Sequence, residues 1–120
     1  MSDFRKIKAW ALADESAVDV YSATGAFPKE ELFAQTSQLR RAAYSIPSNI
    51  SEGAGRRTTK DFLRFLDGAK GSVNEVLYFI HLAARLGYLA EIDTQTLSAK
   101  AVEVSKCLVG YIKAVESDLN

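Results

Sequence analysis

Apolar residues recur at steps of three and four along nearly the whole chain, and no useful stretch alternates strictly between apolar and polar residues. Steps of three and four match the 3.6 residues of an α-helical turn, so the sequence predicts an all-α protein. Four such stretches are joined by short segments. The length of the chain predicts one domain over residues 1–120. Because short connections make neighbouring helices antiparallel, this domain is predicted to be an up-down-up-down antiparallel four-helix bundle.

The first predicted helix runs from about residue 3 to residue 24 and is ended by Gly25. Its predicted apolar stripe comprises Phe4, Ile7, Trp10, Ala11, Ala17, Val18 and Tyr21. Asp14 falls on the same stripe. Since unpaired carboxylates are rarely buried, we expect Asp14 at the edge of the stripe, facing solvent or a neighbouring arginine.

The second predicted helix begins around Pro28, which the first helical turn tolerates, and Glu30 and Glu31 favour the positive end of its dipole. Its predicted apolar set includes Leu32, Phe33, Leu39, Ala42, Ala43 and Ile46. Pro47 lacks a backbone N–H and crowds the preceding turn, so the helix is predicted to kink or restart near Pro47.

The segment after Pro47 carries capping and stopping residues. Ser48 or Asn49 is predicted to cap the restarted piece by accepting a free backbone N–H. Gly53 and Gly55 tolerate left-handed backbone angles and are predicted to end it.

The third predicted helix starts after Thr58, which has capping-box spacing to Asp61, and stops at Gly87. Its seam comprises Phe62, Leu66, Ala69, Val73, Val76, Ile80 and Ala83. Apolar residues also flank the seam on both sides, so this helix is predicted to be central or to be covered by another subunit. A fourth helix has the seam Leu97, Ala101, Val104, Leu108, Tyr111 and Val115, before a short disordered tail ending at Asn120.

Charge and cysteine content limit the binding partners and the cellular compartment that can be expected for the chain. Fifteen basic and fifteen acidic residues cancel, so any nucleic-acid binding must come from local asymmetry. Cys107 is the only cysteine, which excludes an intrachain disulfide and favours a reducing, cytoplasmic compartment; its side chain is interpreted as a small hydrophobe. The sequence has no long apolar run, so no membrane association is predicted.

No catalytic constellation is apparent. The single histidine, His81, has no second histidine for a metal motif and falls on the polar side of the third helix, which favours a surface role. The Gly53-Ala54-Gly55 segment lacks the preceding strand and the following Gly-Lys-Ser/Thr of a phosphate loop. We therefore predict a protein that is not an enzyme and has no cofactor or metal.

The remaining functional feature of the sequence is an excess of basic residues in one segment. Residues 29–57 carry five basic side chains against three acidic ones, whereas residues 88–120 carry three against five. Arginine suits phosphate because its planar fork donates two parallel hydrogen bonds, and serine and asparagine add neutral contacts. The candidate RNA- or DNA-binding residues are Arg40, Arg41, Ser45, Asn49, Arg56, Arg57, Lys60 and Arg64.

A second interpretation remains open. The arginines can equally serve subunit assembly, with Arg40 and Arg41 pairing with carboxylates such as Glu52 within or between chains. Under this interpretation the protein is a structural or adaptor protein, and the helix-breaking residues Pro47 and Gly53 belong, with Glu52, to the assembly signature.

Many of these residues also occur together, in this order, in one known family. They are Trp10, Tyr21, residues 27–31 (FPKEE), 36–43 (TSQLRRAA), 45–50 (SIPSNI), Glu52, Gly53, Arg56, Arg57, residues 62–66 (FLRFL), Gly71, Ser72, Glu75 and residues 86–89 (LGYL). The chain resembles the bacterial 23S rRNA intervening-sequence protein family. It departs from the family pattern at Asp14, a position that is usually apolar, and at Ala90, which replaces a polar cap.

The resemblance implies a small four-helix bundle that assembles as a ring-shaped homopentamer. Members of the family are encoded in ribosomal RNA insertions. The family is also similar to the accessory variability protein of diversity-generating retroelements, a basic pentamer that associates with a reverse transcriptase and nucleic acid. The resemblance thus implies self-association, with RNA, DNA or a protein such as a reverse transcriptase as a further partner.

Overall fold

A computed structural model describes residues 3–119 of the chain. Its four α-helices are α1 (Lys8–Thr24), α2 (Ser37–Ala54), α3 (Thr59–Arg85) and α4 (Glu91–Ser117). A short 3-10 turn, Phe4–Lys6, precedes α1, and a second 3-10 turn, Lys29–Glu31, leads into a π-helical turn, Leu32–Thr36, before α2. The described residues contain no strand, which confirms the all-α prediction. Asn120, the end of the predicted tail, lies outside the described residues.

The helices form a bundle of about 48 × 24 × 19 Å. Each helix packs mainly against its neighbours in the chain, and α1 also packs against α4. The α1/α3 and α2/α4 pairs are therefore the diagonals, as in an up-down-up-down bundle. Helix α3 makes its main contacts with α2 and α4, so its broad apolar surface is shared between two neighbours.

Helix α3 follows its sequence pattern closely. Every residue of the predicted seam is at most 2% exposed. The Thr58 hydroxyl caps the helix by accepting the backbone N–H of Asp61 at 3.1 Å. At the other end Gly87 has a φ of 79°, and the N–H of Tyr88 donates to the Ala83 carbonyl at 2.9 Å, a Schellman-type stop. The predicted seam, cap and stop of this helix are confirmed.

The predicted stripe of α1 is confirmed in part, since Ile7 and Ala17 are buried and Phe4 and Trp10 pack partly buried against the core. Three of its members, Ala11, Val18 and Tyr21, are exposed. The buried residues of α1 are Ala9, Ala13, Ser16, Ala17, Val20 and Thr24. These are mostly small side chains, which let α1 approach its neighbours closely, whereas the sequence pattern gave most weight to large ones. Asp14 is exposed, as predicted.

The start of the second helix also differs from prediction, because Leu32 and Phe33 are exposed rather than buried. Both lie in the π-helical turn Leu32–Thr36. A π turn closes its hydrogen bond over five residues instead of four, so residues before it are rotated out of the register of the following α-helix. Gln35 and Thr36 take the buried positions instead.

Helix α2 does not restart at Pro47. It runs without interruption to Ala54 with Pro47 buried inside it, and neither Ser48 nor Asn49 caps a helix start. The Asn49 amide instead donates back to the Ser45 carbonyl at 2.8 Å. Proline inside a helix costs about 3 kcal/mol, and tertiary packing around the buried ring maintains the helix despite this cost. The kink itself stays a prediction.

Gly53 and Gly55 do not adopt left-handed angles, since Gly87 is the one residue with positive φ among residues 3–119. Gly53 lies inside α2, where a Cβ would meet the Phe65 Cβ at 2.7 Å and Phe62 Cδ1 at 2.9 Å. Glycine is needed at position 53 because α2 and α3 approach closely there.

Candidate binding surfaces along helix α2

The eight candidate residues fall into two groups at opposite ends of α2, with Asn49 between them. Arg40, Arg41 and Ser45 lie in the first half of the helix, whereas the other four surround the turn between α2 and α3. Fifteen residues separate Arg41 from Arg56, which corresponds to roughly 20 Å along a helix axis. We call the second group, Arg56, Arg57, Lys60 and Arg64, the basic corner.

Arg40 is half-buried against α1. Its Nε donates to the Thr24 hydroxyl at 2.8 Å, and a terminal nitrogen lies 3.5 Å from the Tyr21 carbonyl oxygen. The guanidinium also stacks over the Tyr21 ring, 4.6 Å from its centroid. All of these partners are neutral, so Arg40 keeps its full charge uncompensated by a contacting carboxylate.

Arg41 leaves the helix about 100° around its axis from Arg40, although both side chains border one groove. Its guanidinium pairs with Glu75 of α3 at 3.1 Å and contacts Gln38 at 3.3 Å. The in-chain partner of Arg41 is therefore Glu75, and Glu52 lies elsewhere, 3.6 Å from Arg56. Within the chain, neither Arg40 nor Arg41 makes the predicted ion pair with Glu52.

Ser45 and Asn49 are largely used by α2 itself. The Ser45 hydroxyl donates to the Arg41 carbonyl at 2.7 Å, and the Asn49 amide donates to Ser45. Asn49 also lines a shallow hollow of about 460 Å³ together with Arg64 and Phe65 of α3. An acidic residue, Asp67, lines the same hollow, so its charge is mixed rather than purely basic.

The basic corner contains both paired and unpaired cations. Arg56 lies over the Phe65 ring, 4.5 Å from its centroid, and Arg64 pairs with Asp61 at 2.7 Å. Arg57 and Lys60 are exposed, and neither has a carboxylate within 4.0 Å among residues 3–119. Arg57 and Lys60 are the cations of the corner most available to a phosphate.

A further surface was missed by the sequence pattern. It is a groove of about 360 Å³ between α1 and the start of α2. We call it the Phe33 surface, and it is lined by Tyr21, Leu32, Phe33, Thr36, Ser37, Arg40, Arg41 and Tyr44. Phe33 is 92% exposed, and Tyr21, Leu32 and Tyr44 are each about half exposed. The surface exists because the π turn rotates Leu32 and Phe33 outward, a rotation that the 3.6-residue pattern does not reveal.

The π turn also buries polar groups that have no partner. Both side-chain polar atoms of Gln35 and the hydroxyl of Thr36 are buried and make no hydrogen bond within the described part of the chain, residues 3–119. The turn is fixed from the other side by Glu31, which accepts the N–H of Gln35 at 3.4 Å and the hydroxyl of Tyr88 at 2.5 Å. That hydrogen bond to Glu31 is the main cause of a raised pKa of the Tyr88 phenol.

Comparison with known protein families tests whether the chain belongs to the family that its motif residues resemble. A family model described as "23S rRNA-intervening sequence protein" matches residues 5–110. The chain belongs to the 23S rRNA-intervening sequence protein family. The matched residues include both groups of candidate residues and the π turn.

One similar solved structure is a protein of unknown function from the S23 ribosomal protein family of Bacteroides thetaiotaomicron. It is 25% identical to this chain and superposes with a TM-score of 0.78, covering 88% of this chain and 98% of the other. Comparison with curated proteins finds no match. The family relationship thus supports the fold over most of the chain and assigns no activity.

The family's signature residues take different places in the bundle. Pro47 and Gly53 are buried in α2, and Gly53 allows the close contact with α3. Glu52 is exposed and lies beside Arg56. At Ala90, α4 starts without a side-chain cap. The buried signature residues therefore act through packing, and the exposed ones are available for binding.

The remaining candidate chemistry lies on the surface or in the core. His81 is exposed beside Tyr78, and Cys107 is half-buried against the core as a free thiol. Among residues 3–119 no group of three or more His, Cys, Asp or Glu side chains is placed to hold a metal ion. No helix in that part of the chain combines the length and apolarity needed to cross a membrane.

Proposed function

We propose that this chain is a non-enzymatic scaffold protein that assembles into a homo-oligomer through its Phe33 surface. The observation that carries the proposal is the near-complete exposure of Phe33 beside three half-exposed apolar or aromatic side chains and two arginines. Aromatic residues and arginine are the side chains most enriched at the energetic centres of protein interfaces. An exposed aromatic cluster of this composition favours a protein partner over solvent.

The proposed occupant is a second copy of the chain. The solvent-facing side of α4 combines acidic and apolar residues, and we call it the α4 outer face. It comprises Glu91, Ile92, Ala99, Val102, Glu103 and one lysine, Lys106, all exposed. Its apolar side chains can pack against the aromatic residues of the Phe33 surface, and Glu91 and Glu103 can pair with the arginines there. Both faces are present on every copy, so each copy offers one of each.

Contact between two different faces has a consequence for symmetry. In such a head-to-tail contact, a linear row of copies keeps one unused face at each end. The row closes into a ring when the rotation between successive copies brings these two faces together. A ring of five, which the family resemblance implies, is the closed form that we propose.

A reducing cytoplasm suits this protein, whose one cysteine, Cys107, has no partner in the chain.

Sedimentation velocity of matched variants tests the assembly. Phe33→Ser removes the exposed aromatic ring, and since the ring is 92% exposed, the fold of the single chain is expected to persist. Tyr78→Ser is the control, because Tyr78 is another exposed aromatic residue but lies on α3, outside both proposed faces. We expect wild type and Tyr78→Ser to sediment as the same oligomer and Phe33→Ser as smaller species. Equal behaviour of both variants, or a monomeric wild type at micromolar concentration, contradicts the proposal.

A second candidate function is binding of RNA or DNA phosphates at the basic corner. It is favoured by Arg57 and Lys60, which are exposed and make no ion pair in the described residues. A homo-oligomer repeats the corner on every copy, which multiplies weak phosphate contacts.

Binding of a structured RNA by the wild type and the Arg57→Gln, Lys60→Gln double variant tests this function. We expect affinity that falls as salt rises, and a salt dependence that is shallower in the double variant because two phosphate contacts are lost. Lys8→Gln, Lys70→Gln is the control, since it removes two exposed lysines elsewhere. Absence of binding at low salt, or equal loss in both double variants, counts against the corner.

A further inference from the structure

A small pocket lies between the end of α1 and the π turn, next to the Phe33 surface. Its volume is about 120 Å³, and the residues that matter for its chemistry are Thr24, Lys29, Leu32, Thr36 and Arg40. Three of these, Leu32, Thr36 and Arg40, are shared with the Phe33 surface. The pocket is much smaller than the groove of the Phe33 surface, so it can bind a small ligand of its own.

The pocket is electropositive. Arg40 and Lys29 both line it, and neither has a carboxylate within 4.0 Å among the described residues. The hydrogen bonds of Arg40 go only to the Thr24 hydroxyl and the Tyr21 carbonyl. A guanidinium has five N–H donors, so most of those on Arg40 remain free to bind a ligand.

Thr36 adds a neutral donor. Thr36 is 3% exposed and lines the pocket, and its hydroxyl has no hydrogen-bond partner among residues 3–119. Buried polar groups are nearly always hydrogen-bonded, and an exception points to an unseen water, an ion or a functional role. Because Thr36 lines the same pocket as Lys29 and Arg40, a small rotation of its side chain would let the hydroxyl donate to an oxygen of an anion bound there.

The nearest acidic residues in sequence make no ion pair with the cations of the pocket. Glu30 and Glu31 follow Lys29 directly, yet neither lines the pocket. Both oxygens of Glu31 accept hydrogen bonds elsewhere, from the Gln35 N–H and from the Tyr88 hydroxyl. Direct ion pairs with Lys29 and Arg40 are therefore open to an anion from outside residues 3–119.

We propose that this pocket binds one oxyanion group, a carboxylate or a phosphate, between Arg40, Lys29 and the Thr36 hydroxyl. A liquid water occupies about 30 Å³, so the pocket has room for a group of only a few heavy atoms and not for a nucleoside. The group has two sources with the same chemistry, a free phosphate ion or a carboxylate side chain of a docked copy. The inference does not depend on assembly, since a free anion can bind whether or not copies associate.

Calorimetric titration of the Phe33→Ser chain, in which the proposed contact with a docked copy is weakened and the pocket is left open, tests the pocket with inorganic phosphate and, separately, with acetate at constant ionic strength. The variants below are made in the same Phe33→Ser background. We expect saturable binding of at least one anion, with a Kd of about 1 mM or tighter. Thr36→Val keeps the shape of the side chain and removes its hydroxyl, so it is expected to fold normally. We expect Thr36→Val and Lys29→Gln each to weaken binding about fivefold, as for the loss of about 1 kcal/mol. Lys70→Gln removes a lysine remote from the pocket and is expected to leave binding unchanged.

The outcomes separate the sources of the anion. Tighter binding of phosphate supports a free phosphate, and equal or tighter binding of acetate supports a carboxylate from a docked copy. No saturable heat with either anion, an unaffected Thr36→Val variant, or equal weakening in Lys70→Gln overturns the pocket. Sedimentation of the wild type and of Phe33→Ser reports assembly independently, so absence of anion binding in a dissociated Phe33→Ser chain contradicts this inference alone.

Discussion

Gly53 of α2 lies so close to Phe65 of α3 that a Cβ on Gly53 would stand 2.7 Å from the Phe65 Cβ. The Phe65 Cβ is fixed to its backbone, so relief requires the two helices to separate. We predict that Gly53→Ala lowers the free energy of unfolding by about 1–3 kcal/mol, the usual cost of overpacking, despite the better helix propensity of alanine. Urea denaturation at fixed protein concentration measures the change.

Gly71→Ala is the matched control for this contact. Gly71 also lies inside a helix, α3, but a Cβ there meets nothing within 4 Å. Alanine at position 71 is therefore expected to raise the free energy of unfolding by about 0.5–1 kcal/mol. If both variants shift stability in the same direction, close packing at Gly53 is not what selects glycine.

Arg40 and Arg41 are predicted to contribute differently to stability although they are adjacent. Arg40→Gln loses a half-buried hydrogen bond to Thr24 and the stacking on Tyr21, so we expect a cost of about 1–2 kcal/mol that changes little with salt. Arg41→Gln loses an exposed ion pair with Glu75, which should cost below about 1 kcal/mol and vanish at high salt.

Urea denaturation of both arginine variants in the Phe33→Ser background measures these costs without a contribution from assembly. The Arg41→Gln, Glu75→Gln double variant completes a cycle for the exposed pair. Equal and salt-independent losses for Arg40→Gln and Arg41→Gln would contradict the assignment of their partners.

The start of α4 offers a stabilising substitution. Ala90 has extended backbone angles, as a helix cap requires, but its side chain cannot accept the free backbone N–H groups. We predict that Ala90→Ser raises the free energy of unfolding by about 1 kcal/mol. Ala99→Ser, in the exposed interior of the same helix, is expected to lower it by about 0.5 kcal/mol. Thermal and urea unfolding measure the change in the free energy of unfolding for both variants. A lower free energy of unfolding for Ala90→Ser would show that α4 starts elsewhere.

The Tyr88 phenol is predicted to titrate above its ordinary pKa of about 10, first because it donates a hydrogen bond to Glu31. Since the folded pKa is raised, the stabilisation from this bond is present below the ordinary pKa and is lost as pH rises through the folded value. In ultraviolet titration, Glu31→Gln should lower the Tyr88 pKa more than Glu30→Gln, because Glu30 acts only through its charge. Equal effects of the two substitutions would rule out the hydrogen bond as the main cause.

The two ends of α3 and its seam were predictable because their causes are local. The Thr58 cap and the Gly87 stop each depend on residues a few positions away, and the α3 seam repeats the same helical step over the whole helix. The sequence was less informative where large side chains are exposed and small ones are buried. In α1 the close-packed face contains Ala13 and Ser16, which no hydrophobicity pattern marks strongly.

The candidate surfaces depended on contacts between distant residues. Arg41 reaches Glu75 and Arg40 reaches Thr24, pairings set by the packing of three helices rather than by spacing in one. The Phe33 surface was hidden because a single π turn changes the register of Leu32 and Phe33. The sequence therefore predicted which residues are chemically suited to binding, but not which of them share a surface.

The proposed contact between the Phe33 surface and the α4 outer face is tested most directly by cross-linking two different single-cysteine variants. In a Cys107→Ser background, Ser37→Cys places a thiol in the Phe33 surface without removing Phe33, and Ala99→Cys places one on the α4 outer face. Lys70→Cys, exposed on α3, is the control partner. After mixing and treatment with a short bismaleimide, we predict a covalent dimer of the Ser37→Cys and Ala99→Cys chains and none with Lys70→Cys. Absence of that dimer, or equal cross-linking to Lys70→Cys, would contradict assembly through these two faces.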